Sequence, residues 1–491
     1  MSYETWTKEA LIERLRRLEQ TQQKQQQHQH QQPEHEADTH QRKKRRGADF
    51  DFGRFPQRKV ALKFSYFGWP YHGLARQGNA LGSEDKRQIE EQYPTVEGEL
   101  FRALAHCKLI ESEATCGYSR CGRTDRGVSS FGQVVALYVR SSGKYLDEAA
   151  DDGDTASGTV TQSVQNDGRR VLLPTADREL PYVSMLNKSL PPEIRILAWS
   201  PVAEDFDARF SCRSRFYRYF FSEAGLDIAA MRDAAARYKG THDFRNFCRL
   251  DPAKQISNFE RTVLDVDITP VPPAVPFVGN GSRAEGRWWQ LELRGTAFLW
   301  HQVRCMMAIL FLVGQHLESP DIVDRLVDVA TLTGKPEYEM ASDAPLVLAD
   351  CAFDEKDVSW IYVRDGSRDY GNMTVLDRTI LREWGQISTK AVVAGALLQT
   401  LRSTPVPLKG EGLPDDQVAA TAAAADDDDD AVVSWADCRE RLMKTELPGG
   451  AFSLLGGGTV KHVRKYVPIL NRKRAEPVDL RNKAWLERKG A

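Results

Sequence analysis

The chain contains no Cys-x-x-Cys pair, no apolar run of membrane-spanning length and no apolar signal-peptide core near its first residue. Its eight cysteines are scattered, which argues against a disulfide scaffold and a zinc knuckle and for reduced thiols inside a cell. Cys116 and Cys121 are the closest pair, and no Cys or His pair follows them at ligand spacing, so no metal is expected. Charge of one sign is also missing. The 491 residues carry 67 Lys and Arg against 69 Asp and Glu, a formal net charge of −2, so nothing global announces a nucleic-acid partner. These absences leave a soluble intracellular protein whose charge is unevenly placed, with the length of two globular parts plus tails.

Taken in order, residues 4 to 20 carry Leu11, Leu15 and Leu18 at coiled-coil spacing, a short amphipathic helix. A Gln/His tract follows to His40, and then the run Arg42 to Arg46, which reads as a nuclear import signal, an RNA-grasping arm or a solvated basic linker. These make up an arm over 1–57. A first globular part over 58–205 opens with a strand, Val60 to Tyr66, and a ring-rich turn, Phe67 to Gly73. A helix is predicted over 95–107, capped by Thr95, and the polar acidic run at about 146–168 reads as a loop insertion. A second part over 206–400 holds a helix at 226 to 238, a strand from Trp288 to Phe298, an apolar helix from Leu299 to Gly314, and a strand ending at Phe353. An acidic insertion over 401–445, with Asp426 to Asp430, reads as disordered. The basic end over 446–491, with Tyr466 and Trp485 among its cations, is a phosphate-contacting extension or a solvated tail.

Three stretches carry chemistry. The first runs from Cys121 through Gly122, Arg123, Thr124, Asp125, Arg126 and Gly127 into the apolar segment Val134 to Leu137. A loop written this way holds one reactive side chain on a rigid edge, and flanking arginines favour an ionised Asp125; the plain alternative is a surface Asp in a Gly turn. The second interleaves Arg209, Arg213, Arg215 and Arg218 with Phe210, Phe216, Tyr217 and Tyr219. Such alternation can set phosphate contacts on one face while rings stack on a base, or it can simply solubilise an edge strand. The third is Arg304, a lone cation entering an apolar helix, which is costly unless it meets a carboxylate or phosphate; Asp125 is the plausible partner.

Together these stretches resemble TruA-type tRNA pseudouridine synthases. Gly122 to Ser129 followed by Gly132-Gln133-Val134 resembles the family's catalytic motif, with Asp125 at the catalytic position; Arg126 and Ser129 replace the usual bacterial Ala and His. Phe206 to Phe221 resembles a segment whose first Tyr lies against the target base, here Tyr217, although Asp207 replaces the usual His. Leu299 to Arg304 resembles the segment whose Arg pairs with the catalytic Asp, with Gln302 for the usual Met. Leu346, after Pro345 instead of Gly, falls where a Leu packs beside the uracil. The resemblance implies an α/β fold of two RRM-like (ferredoxin-like) halves with antiparallel sheets joined across a central active-site cleft. It implies isomerisation of uridine to pseudouridine in tRNA with neither metal nor organic cofactor.

Catalytic roles then fall to Asp125, Arg123, Tyr217 and Arg304, and substrate contacts to Arg126, Arg209, Arg215, Arg218, His301 and Leu346. The stretch Thr241 to Asn246 is similar to the eukaryotic branch acting on positions 38 and 39 of the anticodon stem-loop. The resemblance implies a homodimer; residence in the nucleus or cytoplasm rests on the run Arg42 to Arg46 alone, and the missing apolar run argues against membrane association. The alternatives are other tRNA or messenger RNA targets, or a non-catalytic protein that binds or refolds tRNA.

Overall fold

Val60, Leu62, Phe64 and Tyr66 alternate with Ala61, Lys63 and Ser65 along the first strand, β1 (Gln57–Tyr66), so pleating places all four on one face. The computed structural model describes residues 50–76, 92–145, 159–162, 171–175, 177–223, 225–271, 287–362, 379–391, 393–394, 397, 451–453, 461–463 and 466–490. In it, that face packs against α1 (Val96–His106) and α2 (Tyr182–Ser189). Thr95 caps α1 as expected, its Oγ1 accepting the Gly98 N–H at 3.2 Å. Val96, Leu100 and Leu104 follow at four-residue spacing, which aligns them on the buried side, each worth on the order of 2 kcal/mol.

The chain continues through β2 (Ser119–Arg120), β3 (Ser129–Arg140), a small sheet of β4 (Lys144–Tyr145), β5 (Thr159–Gln162) and β6 (Val171–Pro174), and then β7 (Ile194–Pro201). Strand β5 lies inside the run read from sequence as a loop: its β-branched Thr-Val-Thr pairs with β6, whose Val171 and Leu173 are buried. The later part supplies β8 (Ser214–Ser222), α3 (Ile228–Ala236), β9 (Gly240–Asp243), β10 (Glu260–Pro270) and β11 (Trp288–Gly295). It continues with α4 (Gln302–Gly314), α5 (Ile322–Val327), β12 (Leu346–Ala352), β13 (Ile361–Tyr362), β14 (Ala451–Ser453), β15 (Lys461–Val463) and α6 (Val478–Lys489).

One large sheet runs in the order β13-β7-β1-β3-β12-β8-β11-β10-β9, with β2 added beside β3. Its neighbours are antiparallel except at one place, where β12 runs parallel to β3 and pairs Val347 with Ser129 and Leu348 with Ser130. That seam divides two principal cores, one under β1, β3 and β7 and one around β8, β11 and α4. The antiparallel-dominated α/β sheet is the expected fold class. Helix α4 is buried at every residue but Arg304, as a helix apolar on all sides must be.

Among the described residues no helix is long and apolar enough to cross a membrane. The expected helix at 4–20, the Gln/His tract, the run Arg42 to Arg46 and the acidic insertion lie outside the described residues, as does most of 146–168. The described residues from 51 onward belong to one compact unit. At the basic end, α6 is an ordered helix: Val478 enters the second core and Asn482 Nδ2 donates to the Ile256 carbonyl at 3.3 Å.

Candidate active site

The loop from Cys121 to Val128 leaves β2 and enters β3, and the ring-rich turn after β1 holds it in place. Leu74 N–H donates to the Thr124 carbonyl at 3.2 Å, Gly127 N–H to the Tyr71 carbonyl at 3.3 Å, and the Tyr66 hydroxyl meets Thr124 Oγ1 at 2.7 Å. Gly127 has φ +76°, a left-handed conformation that closes the turn in which Val128 N–H returns to the Asp125 carbonyl. Gly68 is required by proximity: a Cβ there would stand 2.0 Å from the Val128 carbonyl oxygen. Gly68→Ala is therefore expected to destabilise by roughly 3 kcal/mol and to displace the loop, read as a lower urea midpoint with depressed activity.

This scaffold holds Asp125 with 27% of its side chain exposed. Its Oδ1 accepts the Trp300 indole N–H at 3.1 Å, and its Oδ2 lies 3.6 Å from His301 Nε2. Burial pushes the carboxyl above its ordinary range, opposed by the charge of Arg304, the Trp300 hydrogen bond and Lys254; nearby Asp343 pushes it further up. The sequence reading that Arg123 and Arg126 would keep Asp125 ionised is thus corrected. Both arginines are exposed, and among the described residues neither makes a side-chain hydrogen bond or ion pair.

Arg304 does not pair directly with Asp125 either. Its Nε donates to the Ala341 carbonyl at 2.8 Å and its Nη1 lies 3.8 Å from Asp343 Oδ2, so it acts on Asp125 through its field from a fixed seat, 14% exposed. The end of α4 nearest Asp125 is its N-terminus, the positive end of the helix dipole, which favours an anion. Gln302 has a purpose that its sequence position concealed: its Oε1 accepts the Leu299 N–H at 2.8 Å and fixes the entry to the helix. His301 sits there at φ +62°, and burial followed by the charges of Arg304, Arg249, Lys335 and Lys254 pushes its imidazole down to about 4, so it is neutral near pH 7.

Tyr217, on β8, stands near enough to Asp125 to feel its charge, and its ring meets Phe298 edge-on at 5.1 Å. Burial first, then neighbouring anionic groups, raise its phenol further, and among the described residues its hydroxyl makes no hydrogen bond. Leu346 is 4% exposed and pairs across strands with Tyr219, while Leu348 pairs with Tyr217, so Leu346 offers a base little surface.

The arginines of this region divide. Arg209 is exposed beside Phe210, which is itself 81% exposed. Arg215 is committed to the carbonyls of Thr296, Cys121 and Arg209 at 2.6, 2.9 and 3.0 Å, which corrects its reading as a phosphate contact. Arg218 lies on the sheet face opposite Tyr217 and pairs with Glu292 at 3.2 Å.

Three neighbours of Asp125 escaped the sequence reading: Trp300, Lys254 and Asp343. Trp300 carries Arg249 and Lys254 over its ring at 4.7 and 4.8 Å, and such cations polarise and pin the indole that donates to Asp125. Its place between Phe298 and Arg304 was the available signal; the Asp251-Pro252-Ala253-Lys254 turn offered none.

Comparison with known proteins supplies the context for this site. Residues 234–354 match a family model described as tRNA pseudouridine synthase. A Homo sapiens tRNA pseudouridine(38/39) synthase is 41% identical over 410 residues, covering 81% of this chain and 76% of the human protein. A Saccharomyces cerevisiae tRNA pseudouridine(38/39) synthase is 41% identical over 369 residues, 72% of each chain. A Methanosarcina mazei tRNA pseudouridine synthase A is 31% identical over 263 residues, covering 54% of this chain and 73% of its own.

Proposed function

Because the chain belongs to the TruA-type tRNA pseudouridine synthases, which are isomerases acting on tRNA, we propose that its targets are the uridines at positions 38 and 39 of the anticodon stem-loop. We propose equally that Asp125 is the side chain that starts the reaction. The target assignment is supported by the names of the human and yeast relatives and by the stretch Thr241 to Asn246. The observation that carries the assignment of Asp125 is its seat: a mostly buried carboxylate at the N-terminal end of a buried helix, held by an indole N–H and poised between burial and the charge of Arg304.

Pseudouridine formation breaks the N1–C1′ bond, turns the uracil, joins C5 to C1′, and removes the C5 proton while N1 gains one. Asp125 serves by attacking C1′, by attacking the base or by removing the C2′ proton, and every route needs it ionised. Arg304, the Trp300 indole and Lys254 supply that ionisation against the cost of burial. Tyr217, kept a neutral phenol whose hydroxyl has no hydrogen-bond partner among the described residues, packs its ring against the detached uracil. Reaching a paired nucleotide costs a few kcal/mol of unstacking, which exposed Arg123, Arg126 and Arg209 offset through phosphate contacts.

Mapping pseudouridine tRNA by tRNA after treatment with the purified protein tests the target. Modification at 38 or 39 supports it, and modification confined to other positions sinks it while leaving the chemistry standing. Arg126→Ala is expected to weaken tRNA binding and to lower the slope of log affinity against log salt by about 0.7 to 0.9. The working form is taken as a homodimer, and a monomeric mass by light scattering at micromolar concentration would remove that part.

A further inference from the structure

Cys121, Cys212 and Cys351 lie far apart in the sequence, yet the fold brings their three Sγ atoms within 4.8 Å of one another. Each arrives on a different piece of the sheet. Cys121 opens the Asp125 loop and is fixed by its N–H to the Val134 carbonyl at 2.9 Å. Cys212 precedes β8, and Cys351 lies on β12, paired with Arg215. All three are buried free thiols in a shell formed by Ala61, Val134, Ala136, Ala208, Leu348 and Val358.

From this triangle we propose that the three cysteines form a trithiolate site for a soft d10 cation of the zinc or copper(I) kind. Metal–sulfur bonds of about 2.3 Å set sulfurs roughly 4 Å apart, so the triangle closes on a cation with small side-chain rotations. Small apolar residues exclude water and hard cations, and thiolates select soft ones. Charge also fits. Binding forms three metal–sulfur bonds, releases three protons to solvent and moves no electron, leaving a net charge of −1 with a divalent cation and −2 with copper(I). The Arg215 guanidinium, bonded to the Cys121 carbonyl at 2.9 Å and acting electrostatically on all three thiols, offsets one unit of that charge. Arg215 is then a partner of the metal site, which accounts for its commitment to the carbonyls around it. The role is structural: Cys121 stands four residues before Asp125 and Cys212 five before Tyr217, so one ion sets the spacing between the loop and the strand.

The test uses the full chain purified under reducing conditions, with metal content measured by mass spectrometry and Cd2+ as the added probe. Expected are close to one equivalent of bound metal, a thiolate-to-cadmium charge-transfer band in the ultraviolet, and a Tm that rises with Cd2+. Cys212→Ser and Cys351→Ser, near-isosteric and checked for folding by tRNA binding, should lose all three signals; Cys116→Ser and Cys248→Ser, outside the triangle, should keep them. A parent that takes up no metal with excess Cd2+ overturns the proposal whether or not any variant folds. A band retained in Cys212→Ser or Cys351→Ser, or a disulfide within the triangle in the reduced preparation, overturns it too.

Discussion

Asp125→Asn is expected to abolish tritium release from tRNA labelled at uracil C5, by on the order of a thousandfold or more, with tRNA affinity changed only a few fold. Asn preserves the shape and still accepts the Trp300 N–H, so what the substitution removes is the charge. Stability should move the other way. Burial raises the folded-state pKa of Asp125 above its unfolded value. Its contribution to stability is therefore fully present below the unfolded pKa and is lost as pH rises through the folded one. At neutral pH the ionised carboxylate is a cost, so the Asn protein should unfold at an equal or higher temperature than the parent, with a weaker decline between acid and neutral pH. A surface carboxylate stabilised by an arginine would behave oppositely. Retained tritium release, or a large stability loss on substitution, would end the assignment of Asp125.

The second large effect is expected at Arg304. Its charge is the largest influence lowering the Asp125 pKa, so in Arg304→Gln the carboxyl rises further and the acidic limb of the pH–kcat profile moves to higher pH. At the parent's optimum kcat should fall about 10² to 10³-fold, the range found on removing one group that stabilises charge in a dry site. The profile distinguishes this from damage to the helix. Loss of the Nε bond to Ala341 alone would scale kcat down equally at every pH, whereas an electrostatic role displaces the limb. Arg304→Lys should recover part of the displacement, since it restores charge without the guanidinium's second contact. An unmoved limb in Arg304→Gln would show that Arg304 only anchors the 341–343 segment.

Local physics was legible wherever a side chain's fate was decided by near neighbours. Thr95 and the four-residue spacing after it marked α1, and the apolar run after Leu299 marked α4, because capping and periodicity act within a few turns. The loop around Asp125 was legible for the same reason. What failed was the reading of partners from proximity in sequence. Arg123 and Arg126 flank Asp125 but are exposed, while Trp300, Lys254, Asp343 and Arg304, all distant in sequence, set its chemistry. The interleaved arginines of β8 misled likewise, because alternation sends Arg218 to the far face and backbone carbonyls claim Arg215. Three cysteines with no recognisable spacing met because the end of β2, the start of β8 and the strand β12 converge.

The parallel rung between β3 and β12 has a consequence for how the molecule comes into being. Ser129 and Ser130, the first residues after the Asp125 loop, are tied to Val347 and Leu348, with Ser130 Oγ donating to the Leu348 carbonyl at 2.8 Å. A bond spanning 218 positions is among the last a nascent polypeptide can make, since that much loop-closure entropy must be overcome before it is rewarded. On the ribosome the first core can condense while β12 is still unsynthesised, so pulse-labelled chains should protect β1 amides from hydrogen exchange before those of β12. Simultaneous protection would contradict that order. A chain cut short before residue 346 lacks the strand that joins the two halves of its sheet and that clamps the start of β3 beside the Asp125 loop.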